Sequence, residues 1–291
     1  MRYLAKDVDM EYGYVMLLIV SGLFFSFLIL QGWRYFLRIQ RVNFLRQQPF
    51  PSKYRHILET LRHYQALTLE EKDEIHFLIQ RFIDEKQMIG LQGLTLTDEI
   101  KVIISFYACL LLLYLPKHDL YGTLDTIYIY PYEFVYKEIR DYGGVRAKER
   151  LILEGMSAND TMLLSWHNVK KDVYHHFPSN VIIHEFAHEI DFLDGNVDGV
   201  PPMDDALYAT WSHYLFKAYE RLNSKSIKGR FLGKYKLFGN YAASSEAEFF
   251  AVATERFFQT PLALKKKFPA VYKELKKFYR IDTALKFSNL Y

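Results

Sequence analysis

Cysteine is almost absent from this sequence, which contains Cys109 and no second cysteine. A disulfide within the chain is therefore impossible, and such a composition is typical of a reducing compartment. A metal site built from thiolates is excluded as well, because such sites need several cysteines. Any metal ligands must come from histidine, aspartate or glutamate side chains.

An excess of charge of one sign is also lacking, since the formal net charge is only +3. Proteins that bind nucleic acid usually carry a larger basic excess, so we predict no nucleic-acid partner. Half of the residues are hydrophobic and 24% are charged, which excludes a disordered chain. The 291 residues are enough for one sizeable hydrophobic core.

Residues 13–33 contain no charged side chain. About 20 apolar residues in a helix span a hydrocarbon core of roughly 30 Å. Tyrosine and tryptophan lie at both ends of this run, as in the interfacial belts of membrane-spanning helices. We therefore predict an N-terminal tail at 1–12 and a transmembrane helix at 13–33 in contact with the lipid bilayer. A cleaved signal peptide is disfavoured, because acidic residues offset the basic ones at the start and no small-residue cleavage site follows.

Arginines dominate residues 34–50, which we interpret as a basic juxtamembrane segment that continues the helix. Lysine and arginine favour the cytoplasmic side of a membrane. The sequence thus predicts a single-pass protein of the inner (cytoplasmic) membrane, with residues 51–291 in the cytoplasm. The arginines either contact anionic lipid headgroups or only anchor the span.

A second apolar run extends from Val102 to Leu115. Its 14 residues are few for a membrane span and typical of a buried core helix. The alternative is a second span, which would place the following residues on the opposite side of the membrane.

Residues 51–291 are predicted to form one domain of the α+β class. Strand candidates rich in β-branched and aromatic residues come before most of the helix candidates, rather than alternating strictly with them. Pro131 either ends the first strand or confines it to a sheet edge. The strand candidates are 126–136, 150–155 and 161–166, with a turn at Ser157–Asp160; the helix candidates are about 70–86, 98–115, 179–194, 204–224, 245–258 and 261–279.

The chemistry is concentrated at His184-Glu185-Phe186-Ala187-His188. Positions i and i+4 lie on one face of a helix, so both imidazoles can reach one metal ion. Glu185 can then take a proton from a metal-activated water. Ser179 or Asn180 can cap the start of the helix that the motif requires. The pattern predicts a zinc site, Zn²⁺ being the metal that such motifs bind.

A catalytic zinc ion takes three protein ligands and keeps one position open. A capped helix at 241–258 offers Glu246, Glu248 and Glu255 as the third ligand. Glu248 could instead be a capping-box residue with Ser245, and the physics of the sequence does not choose among the three. Two aspartates that follow the motif are candidates for supporting the ligands or ending the helix: Asp191 and Asp194.

Two segments, HEFAHEIDFLDG and YAASSEAEFFAVATERFF, resemble the Mlc titration factor A family of zinc peptidases. The resemblance covers roughly residues 55–280. It extends to three further segments: LQGLTL at 91–96, IYIYPYEF at 127–134 and LLSWHNV at 163–169.

By position, the resemblance implies zinc ligands at His184, His188 and Glu248, a catalytic glutamate at Glu185, and Tyr241 as the candidate that stabilises the oxyanion. It also implies a zincin-like fold of the gluzincin type. Family members are similar to a cytosolic factor that binds a glucose-responsive repressor and relieves repression. The N-terminal membrane helix departs from that soluble pattern.

We therefore predict a membrane-anchored zinc metallopeptidase that hydrolyses peptide bonds in a peptide or protein substrate, with aminopeptidase activity as the form that the resemblance favours. The strand at 126–136 could pair with an extended substrate, although a plain core or edge strand is the simpler interpretation. The alternative is a membrane-tethered regulatory protein that sequesters a transcriptional repressor, with a structural or vestigial zinc.

Overall fold

The chain divides after Pro49 into two units, Met1–Pro49 and Phe50–Tyr291. Most of the described residues are helical, with a small sheet in the second unit. The computed structural model describes residues 2–115, 120–132, 134–142, 145–153, 155–158, 160–174, 178–230, 232–288 and 290.

The first unit is a single helix, α1 (Arg2–Gln47), of 46 residues. It includes the predicted tail, the apolar run and most of the basic segment in one continuous rod, about 69 Å long at 1.5 Å per residue. Among the described residues, Met16–Gln47 is the one helical stretch long and apolar enough to cross a membrane. Most of its large apolar side chains from Met16 to Phe44 are exposed rather than packed into a core, whereas Leu45 near its end is buried.

The helices of the second unit have between 4 and 17 residues. They are α2 (Ser52–Glu59), α3 (Arg62–Gln65), α4 (Leu69–Glu85), α5 (Asp98–Leu112), α6 (Trp166–Tyr174), α7 (Val181–Asp191), α8 (Asp205–Trp211), α9 (Lys217–Asn223), α10 (Ile227–Arg230), α11 (Glu246–Gln259), α12 (Pro261–Lys267), α13 (Pro269–Tyr279) and α14 (Thr283–Lys286).

Two sheets are present among the described residues, one of four strands and one of two. The strands are β1 (Gln87–Gly90), β2 (Thr126–Tyr130), β3 (Phe134–Tyr142), β4 (Val145–Leu153), β5 (Gly155–Ala158) and β6 (Thr161–Ser165). The larger sheet has the order β1-β2-β6-β5, in which β1, β2 and β6 are parallel and β5 is antiparallel. The two-stranded sheet is the β3–β4 hairpin.

The observed strand pairing contradicts two predictions made from the sequence. β2 ends at Tyr130, just before Pro131, and lies between β1 and β6. Both of its edges are already hydrogen-bonded, so an extended substrate cannot add to it as proposed for 126–136. Ser157 and Ala158 belong to β5 rather than to the predicted turn, because they pair with β6.

α5 is a buried helix of the domain core, as the length of the 102–115 run predicts. The side chain of Thr97 accepts the N–H of Ile100 and caps its start. Ile100 and every residue from Val102 to Leu112 are buried. An apolar surface that surrounds a helix on all sides is typical of such central positions.

α7 packs against both α5 and α11 in the centre of the domain. The ring of Phe186 contacts those of Phe82 and Tyr121, with centroids 5.7 and 4.8 Å apart. Burial of these aromatic rings fixes the rotation of α7 about its own axis. The polar side of the helix is therefore turned towards α11.

Two helices predicted as continuous are interrupted. The predicted helix at 204–224 consists of α8, a π-helix at Ser212–Phe216, and α9. The predicted helix at 261–279 breaks at Phe268, because Pro269 cannot donate to the preceding turn and begins α13 instead.

Candidate metal centre

Polar groups from three elements hold the first turn of α7. The side chain of Asn180 accepts the N–H of Ile183 at 3.2 Å and caps the helix. Asp172, from α6, accepts the N–H of Val181 at 2.9 Å, and Glu255, from α11, accepts the N–H of Asn180 at 3.0 Å. These amides have no partner within the helix, so the three side chains satisfy donors that would otherwise be orphaned.

Sequence reasoning missed the role of Asp172. The residue is buried, and it also accepts the hydroxyl hydrogen of Ser179 at 2.8 Å. No local pattern connects it to the HExxH motif. One feature of the sequence could have indicated this role. Asp172 lies nine positions before Val181, near the end of the preceding helix, from which an acidic side chain can reach the start of the next helix.

His184 and His188 lie on one face of α7, with ring centroids 5.0 Å apart. Both Nε2 atoms approach the same oxygen of Glu248. The distance from Oε2 of Glu248 is 3.1 Å to His184 and 3.5 Å to His188. One ligand atom from each of the three residues lies within 4.8 Å of the others, an arrangement that could hold a metal ion.

The position of Glu248 follows from the start of α11. Ser245 caps this helix by accepting the N–H of Glu248 at 3.2 Å. The carboxylate of Glu248 does not complete a capping box; it lies against the two histidines instead. The packing of α11 on α7 thus brings together residues that are 64 positions apart.

The other two glutamates on α11 lie elsewhere. Glu255 is buried, and its Oε2 is 3.7 Å from Nδ1 of His184, on the side of the ring away from Glu248. It can therefore orient this imidazole without joining the ligand cluster. Glu246 is half-buried and lines a separate cavity. A helix turns about 100° per residue, which places Glu246 about 200° from Glu248.

The charges of the cluster favour a cation. Burial lowers the pKa of His184, but its hydrogen bonds with Glu248 and Glu255 outweigh this and raise the pKa to about 10. Burial raises the pKa of Glu248, but hydrogen bonds from His184 and His188 hold it well below its usual range. The carboxylates of Glu248 and Glu255 beside the imidazoles thus favour a positive charge at this position.

The spacing of the donor atoms also fits a tetrahedral ion. Ligand atoms about 2.1 Å from such an ion lie roughly 3.4 Å apart. The distances of 3.1 and 3.5 Å between the Nε2 atoms and Oε2 of Glu248 bracket this value. Two imidazoles and one carboxylate thus form a cluster that could hold a metal ion.

Glu185 and Tyr241 lie beside this cluster. Glu185 is buried on α7, and its charge contributes to the raised pKa of His184. The ring of Tyr241 lies 5.7 Å from that of His184, and its hydroxyl donates to Oε1 of Glu248 at 3.2 Å. With 58% of its surface exposed, Tyr241 can reach a molecule that approaches from solvent.

The two aspartates after the motif differ in environment. Asp194 is exposed, and its carboxylate accepts the N–H of Asn196, which makes it a turn residue. Asp191 is fully buried, and its Oδ2 accepts the N–H of Gly199 at 2.8 Å. Oδ1 of Asp191 and Nδ1 of His188 are both buried, and neither has a hydrogen-bond partner among the residues that the structure describes. Asp191 is therefore the better candidate for supporting a ligand.

Comparison with known proteins shows which family this chain belongs to. The chain is 31% identical to the uncharacterized protein slr2042 of Synechocystis sp., over 82% of this chain and 87% of that protein. It is 29% identical to Mlc titration factor A of Serratia proteamaculans, over 76% and 85% of the two chains. It is 32% identical to Mlc titration factor A of Salmonella arizonae, over 74% and 86%.

The family model described as "Glucose-regulated metallo-peptidase M90" matches residues 36–280, which include α7 and α11 with the whole His-His-Glu cluster. The resemblance seen in the HEFAHEIDFLDG and AEFF segments is thereby confirmed. The chain belongs to the M90 family of metallopeptidases.

Proposed function

We propose that this protein is a membrane-anchored, zinc-dependent metallopeptidase that hydrolyses peptide bonds. The observation that carries the proposal is the convergence of His184, His188 and Glu248 within 4.8 Å, beside the buried Glu185. A structural site would have no need for a buried carboxylate next to the first ligand. Aminopeptidase activity is the form that we infer from the family resemblance.

Zinc is the metal that we expect in this centre. Two imidazoles and a carboxylate, with a fourth position open, are the usual ligand set of catalytic zinc in proteins. A bound zinc ion would supply Lewis-acid activation of water and of the scissile carbonyl. The same ligand set supports a zincin-like fold of the gluzincin type.

The side chains of the chain itself supply the proton transfers. We infer that Glu185 accepts a proton from the attacking water and later passes it to the leaving amine. We infer that the hydroxyl of Tyr241, which donates to Glu248, turns towards the carbonyl oxygen of a bound peptide. There it can donate a hydrogen bond to the negative charge that develops on that oxygen.

We expect the full-length protein, purified in detergent, to contain about one zinc ion per chain, as a three-ligand site requires. A chelator should abolish cleavage of a peptide library, and added Zn²⁺ should restore it. Elemental analysis before and after chelation provides the measurement. Absence of zinc after careful reconstitution, or cleavage that persists in the metal-free protein, would contradict the proposal.

Tyr241→Phe is expected to lower kcat by about 10²–10³-fold, the usual effect of removing one oxyanion donor. Zinc affinity should stay nearly unchanged, because the hydroxyl donates to Glu248 rather than binding the metal. Steady-state kinetics and a zinc titration of the same variant test both parts. Tyr208→Phe, at an exposed tyrosine on α8 outside the cluster, is the matched control. An unchanged kcat would exclude Tyr241 from the reaction.

Membrane anchoring by α1 is also part of this proposal. We propose that α1 crosses the bilayer with its N-terminus outside, so that residues 51–291 are in the cytoplasm. Protease added to spheroplasts should leave those residues intact and should digest them only after lysis. Digestion in intact spheroplasts would reverse the topology.

A regulatory role is the second candidate, and the names of the relatives support it. Two of them are called Mlc titration factor A, which points to binding of a protein called Mlc. Binding of such a partner and peptide hydrolysis are compatible in one molecule. If a Glu185→Gln variant retained full biological activity, the binding role would be favoured over catalysis.

A further inference from the structure

A cavity separate from the metal centre lies on a different face of α11. Its volume is about 260 Å³. Glu246 and Phe249 of α11 line it, and helical geometry turns both of them away from the Glu248 side. The remaining lining residues come from the loop before α8, the last residue of α8, the π-helix and α9: Asp198, Gly199, Val200, Trp211, Ser212, Leu215, Phe216 and Tyr219.

The cavity combines apolar walls with two acidic side chains. Its walls are largely apolar and aromatic, with Trp211, Leu215 and Phe249 almost completely buried. Two carboxylates, those of the exposed Asp198 and the half-buried Glu246, also line it. Among the described lining residues none is basic. A ligand that matches both features has an apolar body and a positive charge.

Close backbone packing fixes one wall. Gly199 has φ +81°, and a Cβ atom there would lie 2.6 Å from the backbone oxygen of Glu246. Only glycine allows this approach of the loop to α11. The indole N–H of Trp211 donates to the carbonyl of Gly199 at 3.0 Å. The backbone N–H of Gly199 donates to the carboxylate of Asp191. The loop that carries Asp198 is therefore held in place from three sides.

The opposite wall is the π-helix at Ser212–Phe216. This conformation is rare, and short π-helical turns occur frequently at functional sites. Ser212, Leu215 and Phe216 all line the cavity. A regular α-helical connection between α8 and α9 would not need the wider π-helical turn. The π-helix places all three of these side chains on the wall of one cavity.

We propose that this cavity binds an organic cation with a bulky apolar group, of about the size of one aromatic amino acid that has a free amino group. The apolar group would contact Trp211, Leu215 and Phe249, while the ammonium would pair with Asp198 and Glu246. The volume is slightly below the roughly 300 Å³ at which drug-sized sites begin, which favours a ligand of this size. The site needs no metal, so it does not depend on the proposed peptidase activity.

Simpler roles exist for each carboxylate by itself. Glu246 is in the first turn of α11, where a negative charge stabilises the helix. Asp198 accepts the N–H of Val200 in its own turn. Neither role explains why both carboxylates line one apolar cavity whose described lining includes no basic residue.

The test uses full-length protein in phospholipid nanodiscs, since detergent could itself enter an apolar cavity. Three probes share a phenylethyl or benzyl group and differ in charge: 2-phenylethylamine, 2-phenylethanol and phenylacetate. Isothermal titration calorimetry should show the tightest binding for the amine. Asp198→Asn combined with Glu246→Gln should weaken amine binding by about tenfold, the usual effect of losing a charge-assisted hydrogen bond.

Two further variants separate this site from others. Ser212→Phe should block all three probes by filling the cavity, whereas Glu220→Gln, at an exposed carboxylate on α9, should change nothing. A probe bound at the metal centre would be insensitive to these substitutions. Equal affinity for the three probes, no binding of the amine, or an unchanged affinity in the Asp198/Glu246 double variant would overturn the proposal.

Discussion

Glu185→Gln should reduce peptide hydrolysis by about 10²–10⁴-fold, the usual contribution of a general base, and should leave zinc bound. Glutamine has the shape of glutamate but cannot accept the proton of the attacking water. The measurement is kcat on a peptide identified by the library screen, together with the zinc content of the same preparation.

The matched control is Asp194→Asn, which changes an exposed carboxylate on the turn that follows α7. It should retain the activity of the natural protein. Cleavage by the Glu185→Gln variant at the unaltered rate would show that this glutamate is not the base. Loss of both activity and zinc would instead indicate that the Glu185→Gln substitution damages the metal site. A structure of the variant would then be needed to locate the damage.

Glu248→Ala should weaken zinc binding by more than about a hundredfold, because it removes one of the three proposed ligands rather than a supporting contact. Both histidines contact this carboxylate at 3.1 and 3.5 Å. Without it, two imidazoles remain on α7 and the third position of the ligand set is lost. Competition titrations with a zinc-binding dye give the dissociation constants.

Two neighbouring glutamates on the same helix provide the comparison. Glu246→Ala should leave zinc affinity nearly unchanged, because its carboxylate is turned away from the cluster. Glu255→Gln should lower the affinity by about 10–100-fold. Its amide oxygen can still accept the N–H of Asn180, while its NH₂ group replaces the acceptor beside Nδ1 of His184. A larger loss at Glu246 or Glu255 than at Glu248 would overturn the ligand assignment.

The parts of the site that could be predicted are those set by local spacing. His184 and His188 are four residues apart, so any helix brings them to one face. Ser245 and the pair Ser179 and Asn180 were recognisable as candidate caps because a cap acts on amides only two or three residues away; the structure shows that Asn180 is the cap of α7. The burial of α5 followed from its length and from its uninterrupted apolar sequence.

The third ligand could not be chosen by such rules. Glu248 reaches the histidines only because α11 packs on α7, and a helix start with three glutamates leaves their roles open. The family resemblance supplied the choice of Glu248. Asp172 and the cavity beside Trp211 were not foreseen for the same reason, since both depend on which elements meet in three dimensions.

The strands were harder to predict than the helices. The β-branched and aromatic residues of TIYIY predicted β2 as a strand, but its place between two other strands depends on pairing with residues far along the chain. Pro131 was compatible with either an edge strand or the end of a strand. The β3–β4 hairpin also extends beyond the short strand expected at 150–155.

The bonds around the start of α7 have a consequence for how an ion is captured. The first turn of a helix is usually where it frays, yet Glu255 and Asp172 hold the amides of Asn180 and Val181. His184 follows directly on this clamped turn, which holds it in register with His188. The entropy of gathering the ligands is lost when the chain folds, and an arriving ion meets a preorganised set of donors.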